Sequence, residues 1–139
     1  MFVKEVMSKP AISIDQNDTV FDASMIYKEK HVGCLIVTYN GDVVGILTER
    51  DIIERSICLD KNPRDTKVKE IMTKDVIIIQ ELDTLQRASD VMMKNRIKKL
   101  PVVKDDAVVG IITASDIVRV LPKLSDQLYD LWLDSAWVD

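Results

Sequence analysis

The chain has 139 residues, of which 47% are hydrophobic, and a formal net charge of −4. This hydrophobic content supports a packed core and excludes wholesale disorder, while the negative charge disfavours binding to nucleic acid. No apolar run approaches the roughly 20 residues that span a bilayer, and residues 1–10 lack the apolar region of a signal peptide. We therefore expect a cytoplasmic protein without a membrane segment.

The sequence repeats itself. Residues 3–56 align without a gap on residues 68–121, and about a third of the aligned positions are identical. Most of the remaining positions exchange one apolar residue for another. A unit of about 60 residues buries too little of its surface to be more than marginally stable alone, so the two copies are expected to pack face to face and to share a core of ordinary size.

The first half of each copy predicts a strand and a helix. A short β-branched run at residues 11–14, and again at 76–79, predicts the strand. Asp18 and Asp83 stand where a helix N-cap is expected, and Gln86 resembles the second half of a capping box. The helix is indicated by apolar residues that recur on one face. These are Val20, Ala23, Ile26 and Tyr27 in the first copy and Leu85, Ala88, Val91 and Met92 in the second.

Two strands and a second helix complete each copy. Residues 34–39 and 43–47 predict a hairpin, because Asn40-Gly41 supplies the positive φ angles of a tight turn. The second copy has Asp105-Asp106 at this place, a weaker turn signal. The closing helices are expected at residues 49–57 and 114–121. The fold is therefore predicted to be α+β, with the order β-α-β-β-α occurring twice.

The chain divides into four predicted segments. They are repeat 1 at residues 1–57, a linker at 58–66 marked by Asn62-Pro63, repeat 2 at 67–122 and a tail at 123–139. In the tail, Leu124, Leu128, Leu131 and Trp132 share one face, which predicts an amphipathic helix. This helix is expected to pack on its own domain or on a twin subunit, with a partner protein as the alternative.

The junction between the last strand and the last helix carries the candidate binding chemistry in both copies. Thr48 and Thr113 stand near the helix N-cap, and Asp51 and Asp116 lie in the first turn. The structural interpretation is that the threonine caps the helix and the aspartate completes a capping box. In the functional interpretation, the carboxylate accepts both hydroxyls of a ribose, and the threonine hydroxyl bonds to a ribose or phosphate oxygen. The two roles can coexist.

Basic residues precede the hairpin of the second copy. They are Lys94, Arg96, Lys98 and Lys99, whereas the first copy has Lys28, Lys30 and His31. Gly33 and Cys34 align with Lys98 and Lys99. Cations at the entrance of a strand could neutralise phosphates, although lysines near a helix end can also be simply solvated.

Taken together, these motifs resemble those of tandem CBS-domain proteins (cystathionine β-synthase domains, or Bateman modules), over roughly residues 2–121. The resemblance is carried by the Val-Lys-Glu-hydrophobic-Met openings at 3–7 and 68–72, the Asp-Thr helix starts, residues 97–103 and the two Gly-h-h-Thr-x-x-Asp-h segments, where h is hydrophobic. Each motif is weak alone, but together they are specific.

The resemblance implies two repeats packed about a pseudo-two-fold axis, with clefts that bind AMP, ADP, ATP or S-adenosylmethionine. By similarity, Asp51 and Asp116 would hold the ribose, assisted by Thr48 and Thr113. The other implied binding residues are Ala11, Ile12, Val76 and Ile77 beside the adenine, and Lys98 and Lys99 toward the phosphates. Arg50 is a further candidate for the phosphates, and Ser115 stands at its position in the second copy. A homodimer is also implied. Because the basic segments of the copies differ, we expect two unequal sites.

No catalytic constellation is visible in the sequence. His31 is the only histidine, which excludes a site built on several histidines, and neither common Gly-rich phosphate loop is present. We therefore expect no enzyme, no metal and no catalytic cofactor, but a regulatory module that acts on an unidentified partner protein. The alternatives are a structural dimerisation or interaction module without a ligand, and a nucleic-acid-binding protein that uses residues 96–99.

Overall fold

Two three-stranded sheets, each covered by helices, make up the protein in the computed structural model, which describes residues 1–9 and 11–134. Of residue 130 and of residues 132–134 only the backbone is described. The chain forms two compact units. The first unit is Ile12–Val76, and the second unit combines Met1–Ala11 with the residues from Ile77 onward. These two sheets with their helices confirm the predicted α+β fold.

In the first unit, β1 (Ser13–Asp15) pairs in parallel with β2 (Cys34–Tyr39), which pairs antiparallel with β3 (Asp42–Thr48). Helix α1 (Val20–Lys30) connects β1 to β2, and α2 (Glu49–Ile52) continues directly into a π-helical turn at Ile53–Ile57. The short helix α3 (Val68–Ile71) ends the unit. The core lies between the sheet and these helices, around Leu35, Val37 and Leu47.

The second unit repeats this arrangement. Strand β4 (Ile79–Gln80) pairs in parallel with β5 (Lys99–Lys104), which pairs antiparallel with β6 (Ala107–Thr113). Helices α4 (Leu85–Asn95) and α5 (Ala114–Val120) correspond to α1 and α2, and α6 (Ser125–Asp134) is additional. The buried side chains of Leu100, Val102, Ile112 and Ile117 form the centre of its core.

Both hairpins turn through two residues with positive φ. The angles are 51° at Asn40 and 85° at Gly41, and 50° at Asp105 and 66° at Asp106. These values are typical of the type I′ turn, whose twist matches that of the flanking strands. The weak Asp105-Asp106 signal therefore produces the same turn as Asn40-Gly41, because aspartate tolerates the left-handed region better than most residues.

The first strands are shorter and later than predicted. Strand β1 begins at Ser13 instead of Ala11, and β4 contains only the last residue of the predicted run at 76–79, followed by Gln80. The reason is pairing: β4 meets β5 only at the Ile79–Val102 and Gln80–Val103 pairs. A β-branched run therefore predicts the presence of a strand better than its limits.

The predicted caps of α1 and α4 are wrong by one residue. Thr19 and Thr84 are the N-caps, and their hydroxyl oxygens accept hydrogen bonds from the backbone N–H of Asp22 and Arg87, each at 3.1 Å. Asp83 instead accepts from the backbone N–H of Gln80 at 2.9 Å, which stabilises the preceding turn.

The capping box expected at Gln86 is also absent. The Gln86 side-chain amide donates to Asp90 Oδ1 at 2.9 Å, one turn along the helix. A capping box does form in the first unit, where Asp22 accepts from the backbone N–H of Thr19 at 3.1 Å. Asp22 is replaced by Arg87 in the second copy, and an arginine cannot accept this hydrogen bond.

The opening segment of each sequence repeat packs in the unit formed by the rest of the other repeat. Val3 is fully buried in the second unit and donates its N–H to Asp83 O at 2.8 Å. Val68, its counterpart, is fully buried in the first unit and donates to Asp18 O at 2.8 Å. The compact units therefore change over at Ala11 and Val76.

Two glycines allow these segments to approach closely. A Cβ on Gly45 would lie 2.9 Å from Thr73 O, and one on Gly110 would lie 2.8 Å from Ser8 O. Both distances are shorter than real Cβ contacts allow. Gly45 and Gly110 occupy equivalent positions of the two copies, and each leaves room for the backbone of the opening segment in its unit.

The tail packs on the second unit. Leu124, Leu128 and Leu131 are buried in its core, and Gln127 Nε2 donates to Ser89 Oγ at 2.9 Å. The Trp132 side chain and residues 135–139, which also belong to the predicted tail, lie outside the described residues.

Candidate functional site

The junction of β3 and α2 is closed by two reciprocal hydrogen bonds. The Asp51 backbone N–H donates to Thr48 Oγ1 at 3.2 Å, and the Thr48 N–H donates to Asp51 Oδ2 at 3.0 Å. This is the predicted capping box, which satisfies helix N–H groups that have no partner within the helix. The side chain of Asp51 is thereby held in one orientation.

The junction of β6 and α5 has the same geometry. Thr113 and Asp116 exchange the equivalent hydrogen bonds at 3.1 and 3.0 Å. Asp51 and Asp116 are both only 8% exposed, which is unusual for carboxylates. The structural role predicted for these four residues is therefore confirmed in both units.

Each aspartate has one oxygen in the capping box and a second oxygen near an arginine. Asp51 Oδ1 lies 3.8 Å from Arg55 Nε, and Asp116 Oδ1 lies 3.6 Å from Arg119 Nη1. Both arginine side chains are more than half exposed, so solvent weakens these ion pairs. Since neither distance is that of a hydrogen bond, Oδ1 retains capacity to accept hydrogen bonds from a ligand hydroxyl.

The basic residues of the second copy lie beside the Thr113–Asp116 pair. Lys99 on β5 is in register with Thr113 on β6, and Lys98 O accepts the N–H of Ala114 at 2.9 Å. Directly opposed residues of antiparallel strands have their side chains on the same face. The structure therefore brings Lys99 to the same face as the Thr113 cap, and Lys98 to the start of α5.

The corresponding place in the first unit carries no lysine. Cys34 is in register with Thr48 there, following Gly33. Arg50, a predicted phosphate ligand, forms an ion pair with Glu54 at 2.7 Å, so part of its charge is already compensated. Ser115, the counterpart of Arg50, is exposed on the first turn of α5.

Tyr27 is a feature of the first unit that its sequence pattern marks only as a core residue. Its hydroxyl donates to Leu47 O, next to Thr48. Burial, followed by the charges of Cys34, Glu49 and Asp51, raises the pKa of Tyr27 well above its usual value. The phenol therefore stays neutral and keeps its proton on this hydrogen bond. The signal in the sequence that Tyr27 differs from an ordinary core residue was that the second copy has Met92 at this position.

The four residues predicted to flank adenine divide between the units. Ile12 and Val76 belong to the first unit, and Ala11 and Ile77 belong to the second. All four are half-buried and precede β1 or β4. Ile12 also accepts the N–H of Ile36 through its carbonyl at 3.0 Å.

A cavity of about 530 Å³ lies in the second unit between residues 77–78 and helix α4. Its lining residues are Ile77, Ile78, Thr84, Gln86, Arg87, Asp90, Val91, Lys94 and Asn95. Of the predicted site residues it includes Ile77, but not Lys98, Lys99, Thr113, Ser115 or Asp116. This cavity therefore does not join Ile77 to the Thr113–Asp116 pair.

Two other classes of feature are absent from the described residues. No cluster of three or more histidine, cysteine, aspartate or glutamate side chains could hold a metal ion there. No helix within residues 1–9 and 11–134 has both the length and the apolar character that a membrane crossing requires.

His31 ends α1 in the left-handed conformation, with φ of 53°.

Comparison with known proteins identifies the family to which the chain belongs. The family model of the CBS domain matches residues 3–57 and again residues 68–123. The chain therefore belongs to the CBS-domain family and contains two CBS repeats, as its sequence motifs predict.

Individual relatives match most of the length of this chain. The uncharacterized protein MJ1426 of Methanocaldococcus jannaschii is 29% identical, with 87% of this chain and 91% of that protein covered. Other relatives are longer, and the chain spans 22–63% of their length. One is the inosine-5′-monophosphate dehydrogenase of the same organism, which is 36% identical over 83% of this chain and of which the chain covers 22%.

Two solved structures are especially informative. A conserved CBS-domain protein of unknown function from Thermoplasma acidophilum, TA0289, is 31% identical, with a TM-score of 0.84 over 100% of this chain and 78% of that chain. The CBS domain pair of protein MJ0100, in complex with 5′-methylthioadenosine and S-adenosylmethionine, is 33% identical, with a TM-score of 0.75 over 88% and 97% of the two chains.

Proposed function

We propose that this protein is a regulatory module that binds an adenosine ligand, namely AMP, ADP, ATP or S-adenosylmethionine, and passes the signal to a partner protein. The observation that carries the proposal is the duplicated Thr–Asp pair, in which an almost buried carboxylate is held rigidly at a strand–helix junction. Ligands of this chemical class occupy the CBS pair of MJ0100, which supports the assignment.

Each part of the ligand is assigned to residues with matching chemistry. The Oδ1 atoms of Asp51 and Asp116 would accept hydrogen bonds from ribose hydroxyls, because their Oδ2 atoms are engaged in the caps. Lys98 and Lys99 would bind phosphate. The half-buried residues Ala11, Ile12, Val76 and Ile77 would contact the adenine.

Ligand binding regulates by shifting a conformational equilibrium. A ligand that binds one arrangement of the chain more tightly than another increases the population of the first. The size of this shift is limited by the difference between its affinities for the two arrangements. We propose that this change is read by a partner protein and that the chain acts as a homodimer. One longer relative joins its matching region to a dehydrogenase in a single protein, which is consistent with control of an enzyme.

Thermal unfolding with and without each ligand tests the proposal. A ligand present at 100 times its dissociation constant adds about 2.7 kcal/mol to the free energy of unfolding, so at least one of the four should raise the melting temperature. Asp51→Asn and Asp116→Asn together should abolish the shift, because asparagine can keep the cap but loses the charge that binds the ribose hydroxyls. If none of the four ligands raises the melting temperature of the wild-type protein, the proposal is wrong.

The alternative of an assembly module driven by the tail has less support. Leu124, Leu128 and Leu131, which would form its apolar contact surface, are buried within the second unit. They are therefore already occupied in the single chain.

A further inference from the structure

The two Thr–Asp pairs have surroundings of opposite charge. Beside Asp116, the second unit places Lys98 and Lys99, and its α5 begins with the neutral Ala114. Beside Asp51, the first unit has Gly33 and Cys34, and its α2 begins with Glu49. Lys98 and Lys99 thus stand where the first unit has neutral residues, whereas the first unit has Glu49 and Arg50 where the second has Ala114 and Ser115, and Arg50 is itself paired with Glu54.

The exchange occurs at structurally equivalent positions. Lys99 pairs with Thr113 in the same register in which Cys34 pairs with Thr48. Because the backbone pairing is the same, the difference lies in the side chains and not in the position of the strands. The lysine at this place adds a positive charge on the same face as Thr113, whereas the cysteine supplies no charge.

The two arginines near Asp51 each lie close to a carboxylate, whereas no carboxylate of α5 other than Asp116 stands beside Lys98 and Lys99. Arg50 is paired with Glu54 at 2.7 Å, and Arg55 Nε lies 3.8 Å from Asp51 itself. Tyr27 stays neutral and directs its hydroxyl to Leu47 O. A phosphate in the first unit would therefore meet the additional negative charge of Glu49, which disfavours its binding.

We infer that the two units select different ligands: the Asp116 pair binds a nucleoside that carries a 5′-phosphate, and the Asp51 pair binds a nucleoside without phosphate. This inference rests on the proposed function, because it assumes that both pairs hold a ribose. It adds that the charge at the 5′ substituent decides which unit is occupied.

Calorimetric titration of the full chain with AMP and with adenosine tests the inference, since these probes differ only in the phosphate. AMP is expected to bind at one site per chain and to lose that binding in Asp116→Asn but not in Asp51→Asn. Adenosine is expected to show the opposite dependence. AMP affinity should also fall between about 0.05 and 0.5 M salt, because ions screen the phosphate–lysine attraction, while adenosine affinity stays constant.

A matched pair of lysine variants isolates the charge effect. Lys99→Ala should weaken AMP roughly tenfold, the loss expected for a charge-assisted hydrogen bond. Lys104→Ala removes the same charge from the other end of β5, where Lys104 pairs with Glu81 at 3.7 Å, and should leave AMP binding unchanged. Gly33→Lys should create a second AMP site in the first unit. Melting curves without ligand show whether each variant is folded.

The outcomes separate this inference from the proposed function. Two equivalent AMP sites in the wild-type protein, or equal weakening by Lys99→Ala and Lys104→Ala, would overturn the charge selection while leaving adenosine binding intact. If neither AMP nor adenosine binds, and the melting temperature also fails to respond to ADP, ATP and S-adenosylmethionine, the proposed function itself fails and the inference fails with it.

Discussion

Threonine caps the helices at both strand–helix junctions and at α4, and the residue three positions later decides what else the cap does. At Thr48 and Thr113 that residue is aspartate, so the side chains and backbone N–H groups exchange two hydrogen bonds. At Thr84 it is Arg87, and only the threonine cap remains. The aspartate is thus fixed by the same geometry that starts the helix, which gives a ligand a rigid acceptor.

The contribution of the cap can be measured at Thr113. Replacing a threonine N-cap by alanine costs on the order of 1 kcal/mol, so Thr113→Ala should lower the free energy of unfolding by about this amount in urea titrations. Ser115→Ala is the control, because Ser115 is exposed two residues later on the same helix and should change stability by less than about 0.5 kcal/mol. Equal effects of the two substitutions would contradict the capping role.

Among the elements, α6 shows how a single helix distinguishes the two units. Its residues Leu128 and Leu131 are 0% and 2% exposed in the core of the second unit. No segment of the first unit, within the described residues, corresponds to α6. Ile53 and Ile57 remain 53% and 60% exposed on the π-helical turn of the first unit.

The packing of α6 predicts that truncating a side chain to alanine changes stability by very different amounts at neighbouring positions of the helix. Leu128→Ala should destabilise the protein by roughly 2–5 kcal/mol, the range for removing a buried leucine side chain. Tyr129→Ala, at a residue that is 57% exposed, should change stability by less than about 0.5 kcal/mol. Urea denaturation monitored by circular dichroism measures both values, and a negligible loss in Leu128→Ala would show that the tail does not belong to the core.

At the scale of the whole molecule, the sequence repeats and the compact units are different divisions of the same chain. Residues 1–11 complete the unit made mostly by the second repeat, and residues 68–76 complete the unit made mostly by the first. Each repeat therefore depends on the other for a buried valine and for backbone pairing, at Ser8–Ile111 and Thr73–Ile46. Neither sequence repeat contains all of its own core.

Substitutions of the two equivalent valines test whether each opening segment packs in the unit formed by the rest of the other repeat. Val3→Ala should accelerate amide hydrogen exchange mainly in β5 and β6, although Val3 belongs to the first repeat. Val68→Ala should do the same mainly in β2 and β3. The reason is that each removes buried contacts from the unit in which its side chain packs. Each variant is the control for the other. Faster hydrogen exchange mainly in the strands of the substituted repeat itself would contradict the packing of its opening segment in the other unit.

The sequence by itself determined the duplication, the type and order of most elements, and the Thr–Asp pairs at the junctions. These features follow from local rules: apolar periodicity, the φ angles demanded at Asn40-Gly41, and capping chemistry within three or four residues. The caps of α1 and α4 were predicted one residue early because Asp18 and Thr19 are both good N-caps, and only the backbone path selects between them.

Only the tertiary structure decided which segments share a core. Val3 and Val68 occupy equivalent places in the sequence pattern, and nothing local states that each packs beyond its own repeat. The limits of β1 and β4 depend on pairing with strands that lie about 20 residues away along the chain, and the position of Lys99 beside Thr113 depends on the register of β5 with β6. Such long-range pairings are set by the burial of whole surfaces, which no short stretch of sequence contains.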